Sequence, residues 1–145
     1  MNIKVTDDYL TIDKQKFMLV GIYYIGIEDN ENAPRLKNLV VKSVYGSSVI
    51  LKSKDRNEIN KVYKEISTEL TKRTSNFENF ITHTINLDKV EEITKDMIDL
   101  KMVKLTIKYP EGDINFCVSS MKKAKEIINK IETYQKGKTL LNNIN

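Results

Sequence analysis

The chain has 145 residues, 40% of them hydrophobic, enough for one compact domain or two very small ones with a real core, so disorder is not the default expectation. Charged residues make up 30% but are mixed in sign, 24 basic against 20 acidic, and the net charge of +4 permits nucleic acid without demanding it. The longest apolar stretch, residues 22–27, is far short of the roughly 20 residues of a spanning helix; the start Met1-Asn2-Ile3-Lys4-Val5-Thr6-Asp7-Asp8 lacks a signal peptide's apolar core, and the lone Cys117 has no intramolecular partner, so a cytoplasmic protein without membrane insertion is expected.

In chain order, a short aromatic-led segment at residues 9–12 precedes the pattern Phe17-x-Leu19-x-x-Ile22-x-x-Ile25. Alternation of Leu39 and Val41, then Val49 and Leu51, around Tyr45-Gly46-Ser47 predicts a hairpin. The next segment predicts an amphipathic helix over residues 55–71. Ile59, Val62, Tyr63, Ile66 and Leu70 share one face, and Asp55 with Glu58 offers a capping box. Lys72-Arg73-Thr74-Ser75-Asn76 reads as a joint.

The same succession then returns. An aromatic-led segment at residues 77–81 precedes Ile85-x-Leu87-x-x-Val90-x-x-Ile93. Leu105 and Ile107, then Ile114 and Phe116, flank Pro110-Glu111-Gly112, and a helix is predicted over residues 120–135 with Ala124, Ile127, Ile128, Ile131 and Tyr134 on one face, stopping near Gly137. The internal shift is about 65 to 68 residues. The expectation is an α+β fold of two tandem units, residues 1–73 and 77–136, each of about four antiparallel strands and one helix, with a polar tail at 137–145. Units this small bury little apolar surface against their conformational entropy, so they are expected to share one core.

The units differ on one sheet face. In the second hairpin the residues between core positions are polar (Lys104, Thr106, Lys108, Asp113, Asn115), whereas in the first they are Val40, Lys42, Val44, Ile50 and Lys52. Apolar residues on both faces need a cover, which makes Val40, Val44 and Ile50 candidate interface residues against the second unit, a second copy or a ligand.

Side-chain catalysis finds little support. Lys136-Gly137-Lys138-Thr139 ends like a phosphate loop, but Glu132 occupies the place of its first glycine and a helix precedes it. His83 and Cys117 would need to meet a third orienting group to form a nucleophilic site, and phase puts Cys117 on the polar side of its strand. The carboxylate runs lack the spacing of a calcium loop, and one His with one Cys cannot build a zinc site. No catalytic residue, metal or cofactor is therefore assigned, although a carboxylate pair assembled from distant segments leaves no local signature.

Lys42, Lys52, Lys101, Lys104 and Lys108 lie on or beside strands, with Tyr23, Tyr24, Tyr45 and Tyr109 in adjoining positions. Single-stranded nucleic acid is bound by basic tracks interleaved with stacking rings. The same lysines also serve to protect sheet edges, and the tyrosines to fill core margins. The tandem order of strands and helix over residues 9–135 resembles the topology of Whirly and PUR-repeat proteins, which implies single-stranded DNA or RNA as ligand; no family residue carries over. The segment Ile85-Asn86-Leu87-Asp88-Lys89-Val90-Glu91-Glu92-Ile93 with the hairpin and helix after it is similar to the closing half of a pleckstrin-homology-like domain, which implies a protein- or lipid-recognition module. Two binding functions follow: a single-stranded nucleic-acid-binding homo-oligomer, or an inhibitor or accessory module docking a host protein. The Lys-, Asn- and Ile-rich composition resembles that of low-GC bacteria, their phages and plasmids.

Overall fold

A computed structural model describes residues 1–144. The fold is α+β: the described residues form three antiparallel sheets and two α-helices, divided into two compact units, Met1–Asn86 and a second beginning at Leu87.

The first unit opens with β1 (Ile3–Val5), β2 (Tyr9–Ile12) and β3 (Gln15–Met18), a three-stranded meander. Its second turn is made by Asp13 in the left-handed region at φ 53°, tied down because its own carboxylate accepts the Asn2 amide at 2.8 Å. After a 3-10 turn over Leu19–Gly21 come β4 (Ile22–Asp29), β5 (Lys37–Ser43), β6 (Gly46–Ser53), α1 (Arg56–Arg73), β7 (Phe77–Phe80) and β8 (His83–Asn86). The five strands β4 to β8 form one sheet in the order β6-β5-β4-β8-β7. Alternation places Ile25, Leu39 and Val41 on one side of it. There they join Leu10, Ile12 and the α1 stripe Ile59, Tyr63, Ile66 and Leu70 in a single apolar cluster, with Val62 partly buried at its margin. Each such side chain contributes about 1.5–3 kcal/mol of burial.

The start of α1 departs in detail from a reciprocal capping box. Asp55 caps the helix by accepting from the Asn57 and Glu58 amides, but Glu58 turns to the Ser53 hydroxyl, which in turn accepts the Asp55 amide.

The second unit has a 3-10 turn at Leu87–Lys89, then β9 (Glu92–Asp99), β10 (Met102–Tyr109), β11 (Gly112–Val118) and α2 (Met121–Ile144). Its sheet order is β11-β10-β9. Val103, Leu105, Ile107, Ile114 and Phe116 are buried, as are Ala124, Ile127 and Ile131 of α2.

Two expected boundaries move. The order strand, strand, 3-10 turn, three strands, helix does occur twice, with five strands each time rather than about four. However, the β7–β8 hairpin pairs with β4 (Tyr24 with Ile85, Ile25 with Thr84, Gly26 with His83), so the compact units divide after Asn86 rather than at residues 72–76. Helix α2 does not stop near Gly137 but runs to Ile144. Gly137 lacks the positive φ of a helix-terminating glycine, and one interior glycine costs only about 1 kcal/mol against alanine among good helix formers.

Candidate functional site

The predicted site residues separate once side chains are placed. Tyr23 and Tyr109 are buried within β4 and β10, and Tyr24 is deeply buried as well, so none of these rings offers a face to a base. Lys42 forms an ion pair with Glu28 at 2.9 Å, and its ammonium lies 6.0 Å from the Tyr24 ring centre. Lys108 pairs with Glu92 at 3.7 Å and stands between Glu92 and Asp113 across the ladder; Lys104 stands opposite Asp96. Residues 87–120 hold seven carboxylates and five lysines, so the second unit's sheet is not a positive track. Lys52 and Lys101 are exposed. Tyr45, at the β5–β6 turn, is 71% exposed and is the one predicted tyrosine that presents its ring to solvent.

The apolar face of the first hairpin is also redistributed. A β-bulge between Leu39 and Val40 pairs Leu39 with Leu51 but Val40 with Val49, leaving Ile50 as the extra residue. Ile50 therefore packs against the helix-side core and Val40 is only 5% exposed, while Val49, expected in the core, is 45% exposed. Of the three interface candidates only Val44 is exposed. It joins Tyr45 and Val20, because the Val44 amide donates to the Gly21 carbonyl at 2.9 Å and the Tyr45 ring lies against Gly21. A Cβ on Gly21 would come within 2.7 Å of that ring, so glycine is what lets it settle there.

The second unit has its own exposed apolar group, at the β9–β10 turn: Met97, Ile98, Met102 and Leu100, the last 96% exposed. Lys95 and Met97 sit on the same side of β9 as the buried Leu105 and Val103 of β10, yet both remain exposed. An apolar residue within Asp99-Leu100-Lys101, where a turn calls for polar residues, was the available sequence signal.

No protein-family model, curated protein or solved structure matches this chain.

The remaining polar clusters are structural in geometry. On the face of the five-stranded sheet opposite α1, the Tyr24 ring lies over Gly26 and its hydroxyl meets His83 Nδ1 at 2.5 Å, with the two rings stacked at 5.8 Å. Burial pushes His83 down to about 4, so the imidazole is neutral at pH 7 and fits as acceptor of the phenol proton. Unfolded histidine titrates near 6.5, so the unfolded chain binds more protons between pH 6.5 and 4 and the stability carried by neutral His83 is lost as pH falls through that window. The expected loss is about 1–3 kcal/mol. It is checked by comparing urea midpoints at pH 7 and 4.5 for wild type and His83→Asn, the variant losing less. In the second unit the Tyr134 hydroxyl donates to Asp88 at 2.6 Å and Lys138 pairs with the same carboxylate; burial, then Asp88, pushes the phenol up to about 12. A groove of about 820 Å³ between β1 and α1 is lined by mixed charge and amides, including Asn57, Asn60, Lys61 and Glu65. Among the described residues no three metal-ligating side chains converge, and no helix is long and apolar enough to cross a membrane.

Proposed function

We propose that the protein is a protein-interaction module whose docking surface is the turn end of the β5–β6 hairpin. The observation that carries this reading is that Val20, Val44 and the Tyr45 ring seated on Gly21 are all exposed at the turn end, while the bulge at Val40 turns Val49 of the same hairpin outward as well. Single exposed apolar residues are ordinary, but a cluster anchored on one aromatic ring, seated on a glycine, is the arrangement of an interface centre. Substitution of Val49 by Glu should leave the fold intact, since the side chain is already half in solvent, and should weaken capture of the native partner by the tagged protein about tenfold.

The nucleic-acid reading keeps one favourable observation. Residues 36–54 contain four lysines and no carboxylate, beside the exposed Tyr45 ring. Lys37 and Lys42 are already engaged by Asp29 and Glu28, which leaves Lys52 and Lys54 as its principal contacts. Oligonucleotide affinity that falls steeply with salt, survives Val49→Glu and vanishes in Lys52→Glu would replace the protein-interaction reading with this one.

A further inference from the structure

Resting on that reading of the β5–β6 hairpin, we infer that its partner is a second copy of this chain, and that β6 of one copy adds antiparallel to the open edge of β9 in the next. Both are outer strands of their sheets, and at eight residues each they are the longest outer strands in the described fold. An outer strand presents unpaired backbone N–H and C=O groups that a second strand satisfies.

Their charges are complementary. Strand β6 and its flanks carry Lys52 and Lys54 with no carboxylate up to residue 54, whereas residues 90–102 carry Glu91, Glu92, Asp96 and Asp99 against Lys95 and Lys101. The antiparallel direction matches both ends at once. It brings the apolar turn of one copy, Val44 and Tyr45, beside Leu100 and Met102 of the next, and it brings Lys52 beside Glu92. A parallel arrangement would separate both pairs.

The same features disfavour β9 pairing with itself. Lys95 is a charge on the core-side row, and the ladder shifts register between Met102 and Val103, leaving Ile98 as an extra residue; both devices blunt an edge toward indiscriminate partners. A β6–β9 contact joins two different patches, so association is head to tail and closes into a ring or continues as a chain.

Sedimentation and light scattering of the full-length protein test this. At about 100 µM, where weak association is visible, the wild type should exceed the 16.8 kDa monomer in a concentration-dependent way. Tyr45→Glu should block the β6 end and Leu100→Glu the β9 end; both positions are exposed, so folding is preserved, and each variant alone should be monomeric. Mixing the two should restore a dimer that grows no further, because one intact β6 meets one intact β9. Glu92→Lys should weaken assembly and Lys52→Glu on the same chain should recover it. A wild type that stays monomeric, a Leu100→Glu variant that still assembles, or a mixture that stays monomeric would overturn the inference. A monomeric wild type whose partner binding is still lost in Val49→Glu would leave the interaction surface standing with a different occupant.

Discussion

Gly26→Ala should destabilise the first unit by about 3 kcal/mol, a large fraction of the total for a domain of this size. An added Cβ would lie 2.1 Å from the Tyr24 hydroxyl and 2.4 Å from Cζ of the same ring, contacts that no rotation of the alanine relieves. The Tyr24 ring must therefore leave its place over Gly26. That removes its hydrogen bond to His83 and disturbs the β4–β8 ladder, in which Gly26 pairs with His83. Denaturant midpoints of the single and double variants provide the check. Tyr24→Phe removes the closest of the clashing atoms, so it should cost less in the Gly26→Ala background than in the wild type, a coupling expected only for side chains in direct contact.

Tyr63→Phe should cost about 2 kcal/mol, because the hydroxyl it removes serves two partners. Tyr63 lies on the buried stripe of α1 and its phenol donates to Asn79 of β7, while the single hydroxyl proton of Thr84 of β8 has the phenol oxygen at 2.8 Å and the Ser67 hydroxyl at 2.9 Å as alternative acceptors. Burial pushes this phenol up to about 12, so it stays protonated throughout the range in which the protein is handled. Loss of the hydroxyl leaves polar groups on both hairpin strands short of a partner, and the damage should concentrate there. Amide hydrogen exchange should accelerate most in residues 77–86. Uniform acceleration across the second unit instead would show that this hairpin belongs energetically to the second unit and not to the first.

Much of the fold was legible in the residues. The stripe Ile59, Tyr63, Ile66 and Leu70 and its counterpart Ala124, Ile127 and Ile131 are buried as the helical period requires, and alternation identified the β10–β11 hairpin with Cys117 on its exposed side. The placement of the β7–β8 hairpin was not legible, because strand pairing at a distance of about 60 residues leaves no local periodic trace. Helix α2 passed its expected stop because glycine is a permissive residue whose role depends on φ, which composition does not reveal.

The candidate site was less legible than the fold for one physical reason. Side-chain phase in a strand has period two, so one extra residue exchanges the faces of everything beyond it. The bulge at Val40 thus sent Ile50 inward and Val49 outward, so that the exposed apolar residues of this hairpin are Val44, Tyr45 and Val49 rather than Val40, Val44 and Ile50. Tyrosines read as stacking platforms proved to be core residues where they sit mid-strand, as Tyr23, Tyr24 and Tyr109 do, and exposed only at a turn, as Tyr45 is. The isolated Gly26 within an apolar strand was a readable sign of a close approach, and the ring that approaches is Tyr24.

The most direct measurement is photo-crosslinking in the native cell from a benzophenone side chain placed at position 45, with position 65 on the exposed side of α1 as control. Discrete protein adducts from position 45, absent from position 65 and lost when Val49→Glu is added, are the expected result. Equal labelling from the two positions, or adducts that persist in Val49→Glu, would contradict a docking surface at the end of the β5–β6 hairpin.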